Sequence, residues 1–166
     1  MMFEQAYLDD LRSQFHKVKQ HAEDAIAQIS DDELFATLDT ESNSLAVLMK
    51  HMAGNLRSRF TGFLTTNGEK PDRNRDGEFE IQQRPSRQAI LEHWETGWRC
   101  LFNTLDTLSP ADLSREVEIR SERLSVIQAL NRALVHQAEH AGQIVFLAKH
   151  QRSSEWKTLS IPRRRA

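Results

Sequence analysis

Apolar residues recur at intervals of three and four along most of the chain, the spacing of one face of an α-helix. Four of these stripes are long enough for helices of about 22–27 residues, each with a single apolar face. They predict helices over about 3–29, from 42 or 43 to about 67, over 86–108, and over 125–150, with a short helix over 31–38. Serine or asparagine stands where each later helix should begin, a common capping position. The predicted caps are Ser30, Ser42 or Asn43, Ser86 and Ser125.

Four amphipathic helices of this length predict an all-α fold, a four-helix bundle. The segment 69–85 is rich in charge, proline and glycine and is predicted to be a loop. Extended at ~3.3 Å per residue, it could span ~55 Å, more than the ~36 Å length of one such helix. It can therefore return the chain along the bundle and leave the second and third long helices parallel. We expect an up-down-down-up order with long crossover loops, one domain over 1–150, and an irregular tail over 151–166.

Composition narrows the class of protein. The 166 residues are 39% hydrophobic and 28% charged, a globular balance, and the net charge of -2 gives no broad positive field for binding nucleic acid. Cys100 is the single cysteine, which excludes an internal disulfide and a cysteine-rich zinc site; we expect a buried, inert thiol. The amino-terminal segment lacks a signal-peptide layout, and no apolar run reaches the ~20 residues of a membrane span. A cytoplasmic protein without a membrane partner is expected.

Three histidines form a candidate metal site. His136 and His140 are four residues apart, so on a helix their imidazoles lie on one face at the edge of the apolar stripe. His51 holds the equivalent place on the second long helix. Three imidazoles from two helices would leave open coordination positions, as working metal sites do. The same spacing also fits ordinary surface or core-edge histidines, and spacing alone does not decide between them.

The segment 136–140 also fits a second motif, and several polar residues near the histidines are candidates for supporting the metal site. His-x-x-Glu-His over 136–140 also matches the inverted zinc-protease pattern, but that chemistry needs an acidic ligand well downstream, and only 26 residues follow His140. Polar residues near the histidines could orient the imidazoles, or could serve only in surface salt bridges and packing. These candidates are Asn55, Arg59, Arg132, Glu139 and Gln143.

Three longer segments resemble a known family. They are Asn-Arg-Ala-Leu-Val-His-Gln-Ala-Glu-His-Ala-Gly-Gln-Ile-Val over 131–145, Leu-Met-Lys-His-Met-Ala-Gly-Asn-Leu-Arg-Ser-Arg-Phe over 48–60, and Trp-Lys-Thr-Leu-Ser-Ile-Pro over 156–162. Together they are similar to motifs of the DinB-like superfamily, in a branch of bacterial proteins of unassigned function. The resemblance covers nearly the whole chain.

The resemblance implies a four-helix bundle in up-down-down-up order, often a homodimer, with a divalent metal, commonly nickel or zinc, on three histidines. Those positions carry over to His51, His136 and His140. Some DinB-like proteins are thiol-dependent transferases or isomerases in which the metal holds the sulfur of a small thiol. A metal-dependent transferase or hydrolase acting on a small electrophile is therefore one hypothesis. A non-catalytic metal-binding or stress-related interaction protein is the other, since no acid, base or nucleophile is evident beside the histidines.

Overall fold

Helices dominate the part of the chain that the computed structural model describes, residues 3–81 and 83–161. Two 3-10 turns and one two-stranded antiparallel hairpin lie between the helices, and a third 3-10 turn follows the last helix. The predicted all-helical character is confirmed, except for the small hairpin. The α-helices are α1 (Phe3–Ile26), α2 (Asp31–Phe35), α3 (Leu45–Phe60), α4 (Arg87–Thr107) and α5 (Val126–Arg152). The strands are β1 (Glu116–Ile119) and β2 (Glu122–Ser125), and the 3-10 turns are Asp76–Phe79, Pro110–Ser114 and Ser153–Glu155.

Helix caps confirm three of the four predicted starts. The Ser30, Ser86 and Ser125 hydroxyls each accept a hydrogen bond from a backbone N–H three residues on. The predicted cap of α3 at Ser42 or Asn43 was wrong, because Ser44 caps that helix instead. The Asp39 carboxylate accepts hydrogen bonds from both the backbone N–H and the hydroxyl of Ser42, and this holds Ser42 in a turn before the helix.

The end of α3 also differs from the prediction. The helix stops at Phe60 rather than near Asn67, although Phe63 beyond it is still buried. Gly62 takes a positive φ of 67° and its carbonyl accepts hydrogen bonds from the N–H groups of Thr65 and Thr66, so the chain turns here while keeping an apolar contact. Other boundaries differ less. The helices α1 and α2 end three residues early, and α5 continues two residues beyond 150.

The β1–β2 hairpin was not predicted. Its turn is Arg120-Ser121, and both residues have positive φ, 50° and 66°, as a two-residue type I′ turn requires. Asn-Gly is the usual signal for such a turn, and Arg-Ser gives no such signal. The alternation of exposed Glu116 and Glu118 with buried Val117 and Ile119 was the available sign.

Trp94 and Trp98 lie in the core, and both are 0% exposed. Burying the indole of Trp94 is supported by its N–H, which donates to Glu23 Oε1 at 2.9 Å. Cys100 is only half-buried, because it lies at the outer side of α4 beside Thr61, so the expected full burial was wrong. No helix in the described ranges is long and apolar enough to cross a membrane.

A close approach between α3 and α4 sets the position of the site described below. The two helices touch at Gly97, where an added Cβ would stand 2.6 Å from the Cα of Ala53. Only glycine allows the backbones to come this near. Ala53 lies two residues after His51, so the contact also fixes how deep His51 sits in the protein.

We expect Gly97→Ala to lower the free energy of unfolding by about 1–3 kcal/mol, because the methyl group forces the helices apart. Gly142→Ala is the matched control, since nothing lies within 4 Å of a Cβ built at Gly142 on α5. Alanine there should be neutral or stabilising by up to about 1 kcal/mol. Urea unfolding followed by circular dichroism measures both changes. Equal effects at the two glycines would contradict the close-packing argument.

Candidate metal centre

His51 from α3 meets His136 and His140 from α5 in one cluster, with one nitrogen from each ring lying within 4.8 Å of the others. The Nε2 atoms of His51 and His136 are 3.3 Å apart. Two nitrogens bound to one metal at 2.0–2.1 Å in tetrahedral geometry would be separated by about 3.3 Å. The three histidines singled out in the sequence are therefore close enough to hold one ion.

Glu78 orients His51. Its Oε2 atom accepts a hydrogen bond from Nδ1 of His51 at 2.9 Å, which leaves Nε2 of that ring free to face the other histidines. Arg73 donates two hydrogen bonds to the same carboxylate, at 2.8 and 2.9 Å. Glu78 and His51 are both nearly fully buried. A buried carboxylate behind a histidine is a frequent arrangement at metal sites, since it fixes the tautomer and makes the imidazole a better ligand.

Glutamine side chains lie within hydrogen-bond distance of the other two imidazoles, those of His140 and His136. The Gln143 amide oxygen accepts from Nδ1 of His140 at 2.8 Å, which again turns Nε2 toward the cluster. The fully buried Gln137 amide lies 3.2 Å from Nδ1 of His136, and its own oxygen has no hydrogen-bond partner. A half-turn of that amide brings the orphaned oxygen to Nδ1–H, the partner that an Nε2-bound imidazole needs.

The electrostatics favour neutral imidazoles and an ionised carboxylate. Burial lowers the pKa of His136 to about 4, and the neighbouring His140 and His51 add to this effect. Burial also lowers the pKa of His140, although its hydrogen bond to Gln143 acts in the opposite direction. Burial alone would raise the pKa of Glu78, but the hydrogen bonds from His51 and Arg73 outweigh it and lower that pKa. At neutral pH His136 and His140 are thus in the neutral form that binds metals.

The donor set fits a divalent transition metal. Neutral imidazoles suit zinc, nickel, copper and iron, whereas magnesium and calcium prefer oxygen ligands. Every ring has a polar partner on its far nitrogen, so each can present Nε2 to a shared ion. Room for the carboxylate comes from Gly54, where an added Cβ would stand 2.2 Å from Oε1 of Glu78. Any larger residue at position 54 would displace Glu78 from His51.

One family model, described as "Protein of unknown function (DUF1572)", matches residues 2–165. The chain belongs to the DUF1572 family. A search of curated proteins found no match to it. In this DUF1572 member the two clearest histidine segments of the sequence, around position 51 and over 136–140, are the ones that the fold brings together.

A pocket of about 360 Å³ opens beside the histidines of this DUF1572 protein. His51 and His136 form part of its wall, and exposed residues such as Arg120 and Val135 stand at its rim. Its volume is within the range of small-molecule sites in proteins. A ligand entering the pocket would therefore reach the edge of the histidine cluster.

The five predicted supporting residues fall into two groups. Gln143 contacts His140 directly, as given above. The other four line the pocket, and none of them makes a hydrogen bond to the three histidines in the described part of the chain. They are Asn55 and Arg59 on α3, and Arg132 and Glu139 on α5.

Several residues of the site were missed in the sequence. Glu78, Arg73 and Arg75 lie in the segment predicted to be a loop, and Arg120 lies in the unpredicted hairpin turn. Glu78 is 27 residues from His51 along the chain, so no local spacing rule links them. The one available sign was the density of arginine and acidic residues in the loop.

We expect Glu78→Gln to weaken zinc binding about 10- to 100-fold, because the amide is a poorer acceptor for His51 Nδ1–H. Competition with a coloured chelator measures the affinity, and circular dichroism confirms that the variant is folded. Asp72→Asn is the control, since it removes an exposed carboxylate of the same loop that pairs with Arg57 instead. Unchanged zinc affinity in folded Glu78→Gln protein would show that Glu78 has no part in the site.

Proposed function

We propose that this protein is a divalent-metal-dependent enzyme of the DinB-like superfamily, a thiol-dependent transferase or a hydrolase acting on a small electrophile. The observation that carries the proposal is the convergence of three imidazole nitrogens beside a 360 Å³ pocket, with His51 and His136 forming part of its wall. A site built only to hold an ion needs no adjoining space, whereas an enzyme needs room for substrate beside the metal.

The fold supports the superfamily assignment. Helices α3 and α4 run in the same direction, because the contact of Ala53 with Gly97 is followed, seven residues later on both helices, by that of Phe60 with Thr104. Helices α1 and α4 run in opposite directions, because Lys19 pairs with Glu95 whereas Arg12, earlier on α1, pairs with Asp106, later on α4. These directions are consistent with a four-helix bundle in up-down-down-up order. We assign the bundle to residues 1–150 and treat 151–166 as its carboxyl-terminal extension.

His51, His136 and His140 would hold the metal, which we propose is nickel or zinc. Bound there, the ion supplies Lewis acidity that makes a coordinated water or thiol easier to deprotonate. The chain keeps His136 and His140 neutral by burial, and it orients His51 through Glu78. Glu139 is the carboxylate among the pocket-lining residues, and it can accept a proton from a molecule bound there. Cys100 is not among those residues, so the thiol of the proposed reaction must come from a small molecule.

Changing His140 to alanine should abolish stoichiometric metal in the purified protein, as measured by elemental analysis. His150→Ala, at an exposed position on the same helix, should leave the metal content unchanged.

A second experiment tests for catalysis: the unmodified protein, loaded with nickel or zinc, is incubated with a panel of low-molecular-weight thiols and electrophiles. We expect turnover that requires both the metal and His51. Metal bound in full without any turnover would favour the non-catalytic metal-binding or stress-related interaction protein.

A homodimer is also part of the proposal. The outer side of α5 carries Val135 and Phe146, which are 57% and 66% exposed, with Gly142 between them on the same face. Exposed apolar side chains on one helix face are typical of an interface between subunits. A cytoplasmic location, expected from the layout of the amino-terminal segment and the lack of a long apolar run, remains a prediction. The absence of a nucleic-acid partner, expected from the net charge, also remains a prediction.

Light scattering should give the mass of two chains, and Phe146→Glu should shift it toward one chain, because a buried charge at the centre of the interface is costly. Phe3→Glu, at a position on α1 that is 77% exposed, is the control and should leave the dimer intact. A single-chain mass for the unmodified protein would refute the dimer.

A further inference from the structure

Four arginines line the pocket beside the histidines. Arg59 comes from α3, Arg75 from the loop before α4, Arg120 from the hairpin turn and Arg132 from α5. Glu139 is the carboxylate in the same lining. Four distant segments therefore each contribute a guanidinium to one small space.

The carboxylates that pair with these arginines are not part of the pocket lining. Glu69 accepts hydrogen bonds from Arg59 at 2.7 Å and from Arg120 at 3.2 Å, and Glu122 accepts one from Arg132 at 2.6 Å. These ion pairs fix the positions of the guanidinium groups through carboxylates that lie outside the pocket lining. Each guanidinium has five N–H donors, so most of the donors are not used by these contacts.

Arg59 is the strongest single indication. Its side chain is only 9% exposed, yet within the described residues it donates through Nη1 alone, to Gly68 O and to Glu69. In residues 3–81 and 83–161 its Nε and Nη2 have no acceptor, and neither is among the buried polar atoms sealed from solvent. Arg59 therefore keeps two donor groups facing an accessible space, where an anion could accept charge-assisted hydrogen bonds from them.

The position of Arg120 points the same way. In the turn Arg120 shares the Glu69 carboxylate with Arg59, which brings the two guanidinium groups side by side at one end of the pocket. Two adjacent guanidinium groups with free donors form a site for a planar or tetrahedral oxyanion.

We infer that the pocket binds a small organic oxyanion, a carboxylate or a phosphate, whose negative group is held by Arg59 and Arg120 while the rest of the molecule extends toward His51 and His136. Arg59 is eight residues after His51 on α3, about 12 Å along the helix. Small residues Ala129 and Ala133 line the pocket across from them and leave room for the ligand. This inference rests on the proposed function and adds to it the charge of the substrate.

The test uses isothermal titration calorimetry on the full-length protein, both metal-loaded and after removal of metal by a chelator. Succinate and inorganic phosphate are the probes, and 1,4-butanediol is the uncharged analogue of succinate. We expect one or both anions to bind in both preparations, more weakly as salt is raised, and the diol not to bind. Preference for succinate or for phosphate tells which oxyanion the substrate carries.

Arg120→Gln and Arg59→Lys should each weaken anion binding about tenfold, because each removes charge-assisted hydrogen bonds to the anion. Lysine at 59 keeps the positive charge near Glu69, so the variant is expected to fold even if removal of the charge would not allow it. Arg123→Gln is the matched control, since Arg123 is in the same hairpin, 79% exposed and not part of the pocket lining. It should change affinity by less than about twofold.

The two proposals fail separately. No binding of succinate or phosphate to the folded protein, or equal weakening by Arg123→Gln and Arg120→Gln, overturns the anion site whatever the metal content. If His140→Ala protein lacks metal and the panel gives no turnover, but succinate or phosphate still binds through Arg59 and Arg120, then the anion site stands and the proposed enzyme does not.

Discussion

The buried carboxylate of Glu78, held between Arg73 and His51, is the interaction on which the candidate site depends. A carboxylate removed from water must be fully hydrogen-bonded, and here one oxygen accepts from both partners and the other accepts from Arg73. Removing one partner of such a buried pair commonly costs about 3–5 kcal/mol. The same contact links the loop before α4 to α3 and fixes which nitrogen of His51 carries the proton. The same hydrogen bonds therefore both hold the loop against α3 and set the tautomer of His51.

That contact depends on two glycines, each at a position where a neighbouring group packs directly against the backbone of a helix. Gly54 leaves space on α3 for the Glu78 carboxylate, and Gly97 lets α4 come against the backbone of α3. Both glycines are in helices, where glycine is otherwise unfavourable by about 1 kcal/mol relative to alanine. Packing against neighbours offsets that loss. Because α3 is held from both sides, His51 cannot shift without moving the loop or the neighbouring helix.

The arrangement divides the pocket into two chemical ends. At one end the imidazoles of His51 and His136 suit a soft or borderline metal ion. At the other end Arg59 and Arg120, tied together through Glu69, suit an anion. On α3 the two ends are joined by a ladder of residues four apart, His51, Asn55 and Arg59. A helix is stiff enough to keep such a distance constant, so the length of a ligand that spans the pocket is set by the helix rather than by a loop.

Local sequence determined much of this protein. Apolar spacing of three and four is enough for helices, serine side chains fix where α2, α4 and α5 begin, and the four-residue interval of His136 and His140 already places them on one face. These features depend only on neighbours within one or two turns. The early end of α3 at Phe60 and the Arg120-Ser121 turn were not predicted, because tertiary packing supports backbone conformations that the local residues do not favour. Glu78 behind His51, and four arginines from four segments around one pocket, were decided by the tertiary structure alone. Such groups are brought together only when the chain folds, since no rule of spacing links residues that are distant in sequence and adjacent in space.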